Sequence, residues 1–218
     1  MKRSKITILL AIVLGMTFHS CLDLEPQDQL GGKNMWTSVN DYKQFANTFY
    51  SWTRDFSSVV YDGTHSDKRS DLITYQSYNE FSRGINSIPS SDANYTDNYK
   101  HIRRTNLLLQ NAEAYAKPED IKQYIGEAYF FRAYSYFDLL QLYGDVIITK
   151  KPLDITDPEM KLKRNDRSEV VDLIIDDLNH AVENLPAFKE LTTEEEGRIS
   201  KEGAQAFLSR VALYEGTW

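Results

Sequence analysis

The sequence has little cysteine: Cys21 is the only one among 218 residues. A single thiol cannot form an internal disulfide, a redox pair or a Cys-based zinc site. Other chemical motifs are also missing, because the chain has no Gly-rich phosphate loop, no Gly-x-Ser-x-Gly elbow and no His-Glu-x-x-His pair. We therefore predict a protein that is not an enzyme and that uses neither a cofactor nor a metal.

Positive charge is scarce as well. The 25 Lys and Arg face 32 Asp and Glu, which gives a net charge of −7. Three of the cations (Lys2, Arg3 and Lys5) lie in the first twenty residues, which contain no acid, so the rest of the chain is more acidic still. Such a surface repels phosphate backbones, and no nucleic-acid partner is expected. The 41% hydrophobic content and the 3 Trp, 14 Tyr and 10 Phe exclude a disordered chain.

The sequence has only one long apolar run, the eleven residues from Ile6 to Met16. A helix needs about 20 apolar residues to span a bilayer, so this run fits the core of a signal peptide instead. Cys21 lies where such a peptide is cleaved, in a stretch that resembles a bacterial lipoprotein box, although Phe18 and His19 differ from its usual residues. We predict a signal peptide over 1–20 and lipidation of Cys21. The alternative is a plain signal peptide with an incidental cysteine.

An acidic stretch with a proline follows the cysteine, Leu22-Asp23-Leu24-Glu25-Pro26-Gln27-Asp28. It predicts an extended tether over 21–35. Acidic residues directly after a lipidated cysteine are similar to the surface-export signal of Bacteroidetes lipoproteins, and an ordinary polar linker would have the same composition.

Beyond Trp36, apolar residues recur at helical spacing, and no segment alternates with period two. The spacing predicts one all-α domain over 36–218 with long irregular loops. Its helices are expected at 39–53, from Tyr95 to Ala112, at 118–143, from a cap at 166–169 to Pro186, and from Ser200 with Ala204, Phe207, Leu208, Val211 and Ala212 inward. Segment 57–94 has no periodicity and predicts a long loop, and a loop of that length in a compact domain is usually functional or mobile.

The helix predicted at 118–143 carries eight aromatic residues around most of its circumference. Such a helix must have neighbours on nearly all sides, so it is expected at the centre of the fold. A shift of 78 residues aligns Ala128, Tyr129, Phe130, Arg132 and Tyr136 with Ala206, Phe207, Leu208, Arg210 and Tyr214. This weak repeat favours tetratricopeptide-like helix pairs, although any two amphipathic helices can align this well.

Candidate binding residues lie in the 57–94 loop. Sugar rings stack on aromatic faces while their hydroxyls need polar partners, so Tyr75 and Tyr78 are candidate stacking platforms and Asp71 a hydroxyl acceptor. The alternative is that these tyrosines cover the helical core. The acidic pairs elsewhere, Asp176-Asp177 and the run Glu194 to Glu196, are interpreted as solvated surface.

The stretch from Ile125 to Val146 looks like the signature helix of the SusD/RagB family of nutrient-binding outer-membrane lipoproteins. Agreement extends, in order, to Cys21–Pro26, Met35–Ser38, Ser70–Asp71, Tyr99–Asn106 and Lys201–Tyr214. The resemblance implies tetratricopeptide-like helix pairs and an irregular second half that this chain lacks, so the helical domain is expected to be incomplete at its C-terminus.

For function, the resemblance implies a lipoprotein anchored in the outer membrane and facing the cell exterior. Such a protein binds an oligosaccharide, or alternatively a peptide, and delivers it to a SusC-like TonB-dependent transporter. The alternative is a periplasm-facing tetratricopeptide-like lipoprotein scaffold that binds protein partners.

Overall fold

The computed structural model describes residues 35–53, 83–85, 87–154 and 156–218. Within these ranges it contains five α-helices: α1 (Val39–Asn47), α2 (Ala93–Glu113), α3 (Lys122–Tyr143), α4 (Arg167–Asn184) and α5 (Lys201–Gly216). Short 3-10 helices lie between them, at Thr48–Trp52, Pro118–Ile121, Pro158–Lys161, Phe188–Glu190 and Thr193–Glu195. The described ranges contain no strand, only an isolated bridge between Val146 and Asn165. The predicted all-α fold is confirmed.

Local hydrogen bonds explain where the helices begin. At α1, the Ser38 hydroxyl accepts from the Asp41 N–H at 3.3 Å and the Asp41 carboxylate accepts from the Ser38 N–H at 2.8 Å, which is a capping box. The Ser200 hydroxyl accepts from the Gly203 N–H at 3.3 Å and caps α5. α3 ends at Gly144, whose φ of 68° favours glycine.

Three predicted helices differ from the structure at their ends. The first is α-helical only to Asn47 and continues as a 3-10 helix to Trp52. The second begins at Ala93 rather than Tyr95, because the Asp92 side chain caps it there, so Ala93 and Asn94 do not belong to the predicted 57–94 loop. The third opens with a 3-10 turn over Pro118–Ile121 before α3 begins. Pro118 starts that turn as predicted, because a proline lacks the N–H that the first turn leaves unpaired anyway.

α3 lies at the centre, as its sequence predicts, and contacts α1, α2 and α4. α5 packs on α4 and also contacts α3, where the Phe207 ring lies 5.5 Å from those of Phe130 and Phe137, measured between centroids. Five of the eight aromatics predicted for the third helix are buried (Tyr124, Phe130, Phe131, Tyr136 and Phe137), and the other three are half-buried. Gly126 lets α3 approach the end of α4, since a Cβ there would lie 2.9 Å from Leu185 Cγ. The helices therefore pack successively, as in a helical repeat.

α5 is less enclosed than the sequence suggested. Ala204 and Val211 are buried, but Ala212 is exposed, so its predicted inward position is wrong. The residues aligned by the 78-residue shift also differ in environment, because Ala128 is buried in α3 whereas Ala206 is exposed on α5. Among the residues described, no helix combines the length and apolar content that crossing a membrane requires.

Candidate functional site

The four residues predicted to bind ligand or lipid, Asp71, Tyr75, Tyr78 and Cys21, lie outside the described residues. The structure does describe the chain on both sides of the predicted ligand loop. It ends at Thr53 on one side and resumes at Arg83 on the other. The surroundings of these two ends show where the loop is attached to the helical scaffold.

The outgoing end is fixed by an aromatic stack. The Trp52 ring lies parallel to the imidazole of His101 on α2, with 4.1 Å between ring centroids and 14° between planes. Phe49 and Phe131 contact the same indole at 4.7 and 5.8 Å. Burial lowers the pKa of His101, so its imidazole is neutral at neutral pH. The loop therefore leaves the scaffold beside the middle of α2.

The returning end is fixed by Asp92, the residue that caps α2. Its carboxylate accepts hydrogen bonds from the Tyr143 hydroxyl at 2.6 Å and from the Asn94 N–H at 2.9 Å. The bond from Tyr143 is the main reason that the pKa of Asp92 is lowered. The Tyr95 ring packs against Tyr99 and Tyr143, with centroids 4.8 and 5.2 Å away. Both ends of the loop thus lie along the N-terminal half of α2.

The backbone of residues 147–149, just after α3, is hydrogen-bonded to tyrosine side chains of α2 and α3 and not to a neighbouring strand. The Tyr99 hydroxyl accepts from the Ile147 N–H and donates to the Ile147 carbonyl, both at 2.9 Å. The Tyr136 hydroxyl accepts from the Thr149 N–H at 2.7 Å and donates to its carbonyl at 3.2 Å. Unpaired backbone groups are costly to bury, so these tyrosines replace a strand partner. Burial raises the pKa of Tyr136 and keeps it a hydroxyl.

A buried ion pair joins the three central helices. Arg132 on α3 binds Asp177 on α4 through two hydrogen bonds, Nε to Oδ2 at 2.8 Å and Nη2 to Oδ1 at 2.6 Å. Its Nη1 donates to Asn106 Oδ1 on α2 at 2.8 Å, and Asn106 in turn donates to the Thr149 carbonyl at 2.9 Å. The interpretation of Asp177 as solvated surface is wrong, because its side chain is 0% exposed. Burial raises the pKa of Asp177, and the guanidinium opposes that rise.

A second buried pair lies near the start of α3. Glu127 is 0% exposed, and its carboxylate accepts two hydrogen bonds of 2.8 Å from Arg198. The guanidinium lies over the rings of Tyr50 and Tyr124, with centroids 5.3 and 5.4 Å away. Burial raises the pKa of Glu127, and the bonds from Arg198 counteract this. The pair connects α3 to the chain before α5.

The two buried carboxylates form ion pairs that do not suit catalysis. Glu127 and Asp177 are each paired with an arginine through both carboxylate oxygens, so neither is free to transfer protons to a substrate. Within the described ranges, no group of three or more His, Cys, Asp or Glu side chains is arranged to hold a metal ion. What the described residues form is a helical scaffold to which the chain on both sides of the predicted loop is attached.

Comparison with known proteins places this scaffold among related sequences. Residues 22–213 match the family model of SusD-like proteins, described as starch-binding and associating with the outer membrane. Two SusD-like proteins of Formosa agariphila are each 28% identical over 233 aligned positions, which include 98% and 99% of this chain. The chain spans only 42% and 44% of the length of those two relatives.

Solved structures agree with the sequence relatives. A SusD-like protein from Bacteroides fragilis superposes with a TM-score of 0.69 at 26% identity, over 88% of this chain and 38% of its own. A laminarin-binding SusD-like protein superposes with a TM-score of 0.56 at 30% identity, over 63% of this chain and 30% of its own. The predicted resemblance is confirmed, and the chain belongs to the SusD-like family.

Proposed function

We propose that this chain is part of a cell-surface lipoprotein that binds glycans and delivers them to a SusC-like TonB-dependent transporter. The family match over residues 22–213 carries this proposal, because the family is described as starch-binding and associated with the outer membrane. A relative that is 30% identical binds laminarin, which also supports a glycan ligand. The arginine-paired carboxylates favour binding over catalysis.

The proposed glycan site is the long loop and its base along α2. Binding residues are commonly carried on loops that a scaffold positions, and the described residues on the two sides of the predicted loop are held by the aromatic stack at Trp52 and by the cap at Asp92. Tyr75 and Tyr78 are proposed to stack on sugar rings, and Asp71 is proposed to accept hydrogen bonds from sugar hydroxyls.

Replacing both Tyr75 and Tyr78 with Ala in the full-length protein is expected to weaken glycan binding by roughly tenfold or more. Each stacked ring is worth about 1 kcal/mol beyond its buried area, by analogy with aromatic pairs. Calorimetric titration with laminarin- and starch-derived oligosaccharides measures the change.

Phe188→Ala is the matched control, since it removes a 69% exposed ring from the connection between α4 and α5. Unchanged affinity in a folded double variant would assign the two tyrosines to structure. A wild-type protein that gives no heat with any glycan would favour the alternative function, a periplasm-facing scaffold for protein partners.

For localisation, we propose a signal peptide over 1–20, lipidation of Cys21 and an acidic tether over 21–35 that leaves the domain at 36–218 outside the cell. The family match begins at residue 22, directly after the cysteine, which is consistent with this division.

Cys21→Ala is expected to release the protein from the membrane fraction, because the acyl chains attached to the thiol would supply about 0.8 kcal/mol per buried CH₂. Cell fractionation with immunoblotting measures the distribution. Ser20→Ala, which keeps the thiol, is the control and should remain in the membrane fraction. Retention of the Cys21→Ala variant in cells that lack the proposed transporter would contradict the lipid anchor.

A further inference from the structure

The connection between α3 and α4 contains three exposed cations around an exposed leucine: Lys161, Leu162, Lys163 and Arg164, here termed the basic segment. Leu162 is 50% exposed. In the described part of the chain, none of the three cations has a carboxylate within 4 Å. This composition is unexpected on a protein whose net charge is −7.

The acids near the basic segment have other partners than its three cations. Glu159 pairs with Lys151 at 2.9 Å. Asp157 accepts a hydrogen bond from the Asp154 N–H at 2.7 Å. Glu169, in the first turn of α4, accepts from the Asn165 side chain at 3.1 Å. None of these acids lies within 4 Å of a cation of the basic segment, so its three cations have no direct counter-ion among the described residues.

Hydrogen bonds on both sides fix the position of the basic segment. The Leu162 N–H donates to the Glu159 carbonyl at 3.3 Å at one end. At the other end, the Asn165 N–H donates to the Val146 carbonyl at 2.8 Å and the Asn165 side chain accepts from the Ile148 N–H at 2.9 Å. Lys161 ends the 3-10 helix Pro158–Lys161, and three steps of about 3.3 Å from Lys161 to Arg164 span at most about 10 Å, close to the Debye length at 0.1 M salt. The three cations can thus act together on a nearby surface.

We propose that the basic segment is a membrane contact, which docks on the phosphate-bearing headgroups of an anionic lipid surface. The cations bind the headgroups and Leu162 enters the boundary between headgroups and acyl chains, the depth at which aliphatic side chains of surface-bound segments lie. A lipid surface fits better than a polysaccharide, because the basic segment has no aromatic ring to stack on a sugar. It also fits the outer-membrane association of the family.

The contact goes beyond the proposed glycan binding and does not depend on it. Stable membrane attachment commonly combines lipid chains with a basic patch. A tether alone leaves a domain free to rotate, whereas a second contact at the basic segment would fix which face of the domain points away from the membrane.

A fluorophore placed at residue 162 tests this contact. In the full chain, Cys21→Ser removes the only thiol, so that Leu162→Cys can carry an environment-sensitive dye. Vesicles of phosphatidylethanolamine with phosphatidylglycerol are expected to shift its emission to the blue, and added salt should reverse the shift. Vesicles of phosphatidylcholine alone should leave it unchanged. The same dye at Ser209→Cys, an exposed position on α5, is the control and should not respond to either.

A second experiment neutralises the three cations of the basic segment. Lys161→Gln, Lys163→Gln and Arg164→Gln together are expected to lower the partition constant for anionic vesicles by about a hundredfold, since each cation near such a surface contributes about fivefold. The matched variant Lys117→Gln, Lys189→Gln and Lys201→Gln removes three exposed cations elsewhere and should bind like the parent.

Several outcomes would overturn the membrane contact. One is an equal dye response to neutral and anionic vesicles, and another is binding that survives the triple neutralisation. A third is no response to any vesicle, and in that case the partner of the basic segment would be an acidic protein. Because no sugar is present, failure here leaves the glycan-binding proposal untouched.

Discussion

Asp177→Ala is expected to lower the free energy of unfolding by roughly 3–5 kcal/mol, because it leaves a buried guanidinium without its carboxylate. Arg132 is 6% exposed and has only the neutral amide of Asn106 as its other hydrogen-bonding partner. The lost hydrogen bonds cross the interface between α3 and α4. Water molecules could replace them only if the two helices moved apart. Urea denaturation followed by circular dichroism measures the change.

The neighbouring residue provides a matched control. Asp176 is also on α4, but its side chain is 61% exposed and its contact to His180 is 3.8 Å long. Asp176→Ala should therefore change stability by less than about 0.5 kcal/mol. The double variant Arg132→Met with Asp177→Leu should recover much of the loss, since apolar residues can replace a buried ion pair. Equal effects of Asp176→Ala and Asp177→Ala would contradict a structural role for the pair.

Helix periodicity contained enough information to separate these two aspartates. The buried stripe of α4 includes Val170, Ile174 and Leu178. Asp177 lies seven residues after Val170 and three after Ile174, so it belongs to the same stripe, whereas Asp176 lies off it. The identity of its partner could not be predicted, because Arg132 is 45 residues away in the sequence and the pairing depends on how α3 and α4 pack.

The helices themselves were predictable, since their caps and apolar spacing are local features. Ser38 and Ser200 cap helices where the sequence indicates, and the aromatic content of the third helix correctly predicts a central position. Contacts between distant residues were not predictable. Tyr99 and Asn106 bind backbone groups more than 40 residues away, and neither residue type signals such a partner.

The candidate site was less predictable than the fold for a related reason. Segment 57–94 has no periodicity from which the direction of a side chain could be inferred, so the proposed roles of Asp71, Tyr75 and Tyr78 rest on composition and on the family resemblance. The sequence also gave no role to Trp52 or His101, although an aromatic residue at the end of a helix, next to a long loop, is a reasonable position for an attachment point.

Arg198 is the counter-charge of the second buried carboxylate, Glu127. Arg198→Ala is expected to destabilise the protein by roughly 3–5 kcal/mol, because Glu127 is fully buried and would lose its counter-charge. Arg198→Lys should lie between the alanine variant and the parent, since an ammonium restores the charge but not the two parallel hydrogen bonds or the contact with the Tyr50 and Tyr124 rings. Urea denaturation at neutral pH measures both variants.

The pH dependence distinguishes a lost ion pair from lost packing. Burial already raises the pKa of Glu127, and removal of Arg198 raises it further. A folded-state pKa above the unfolded one favours folding at low pH, and this advantage is lost as the pH rises through the folded value. The Arg198→Ala variant should therefore regain stability relative to the parent as the pH falls from about 7 to 5. The exposed Arg210→Ala on α5 should show neither the loss nor the recovery. If the deficit of the Arg198 variant is the same at both pH values, the missing charge is not its cause, and Arg198 stabilises the fold through its hydrogen bond to the Asn47 side chain and its contacts with the two tyrosine rings.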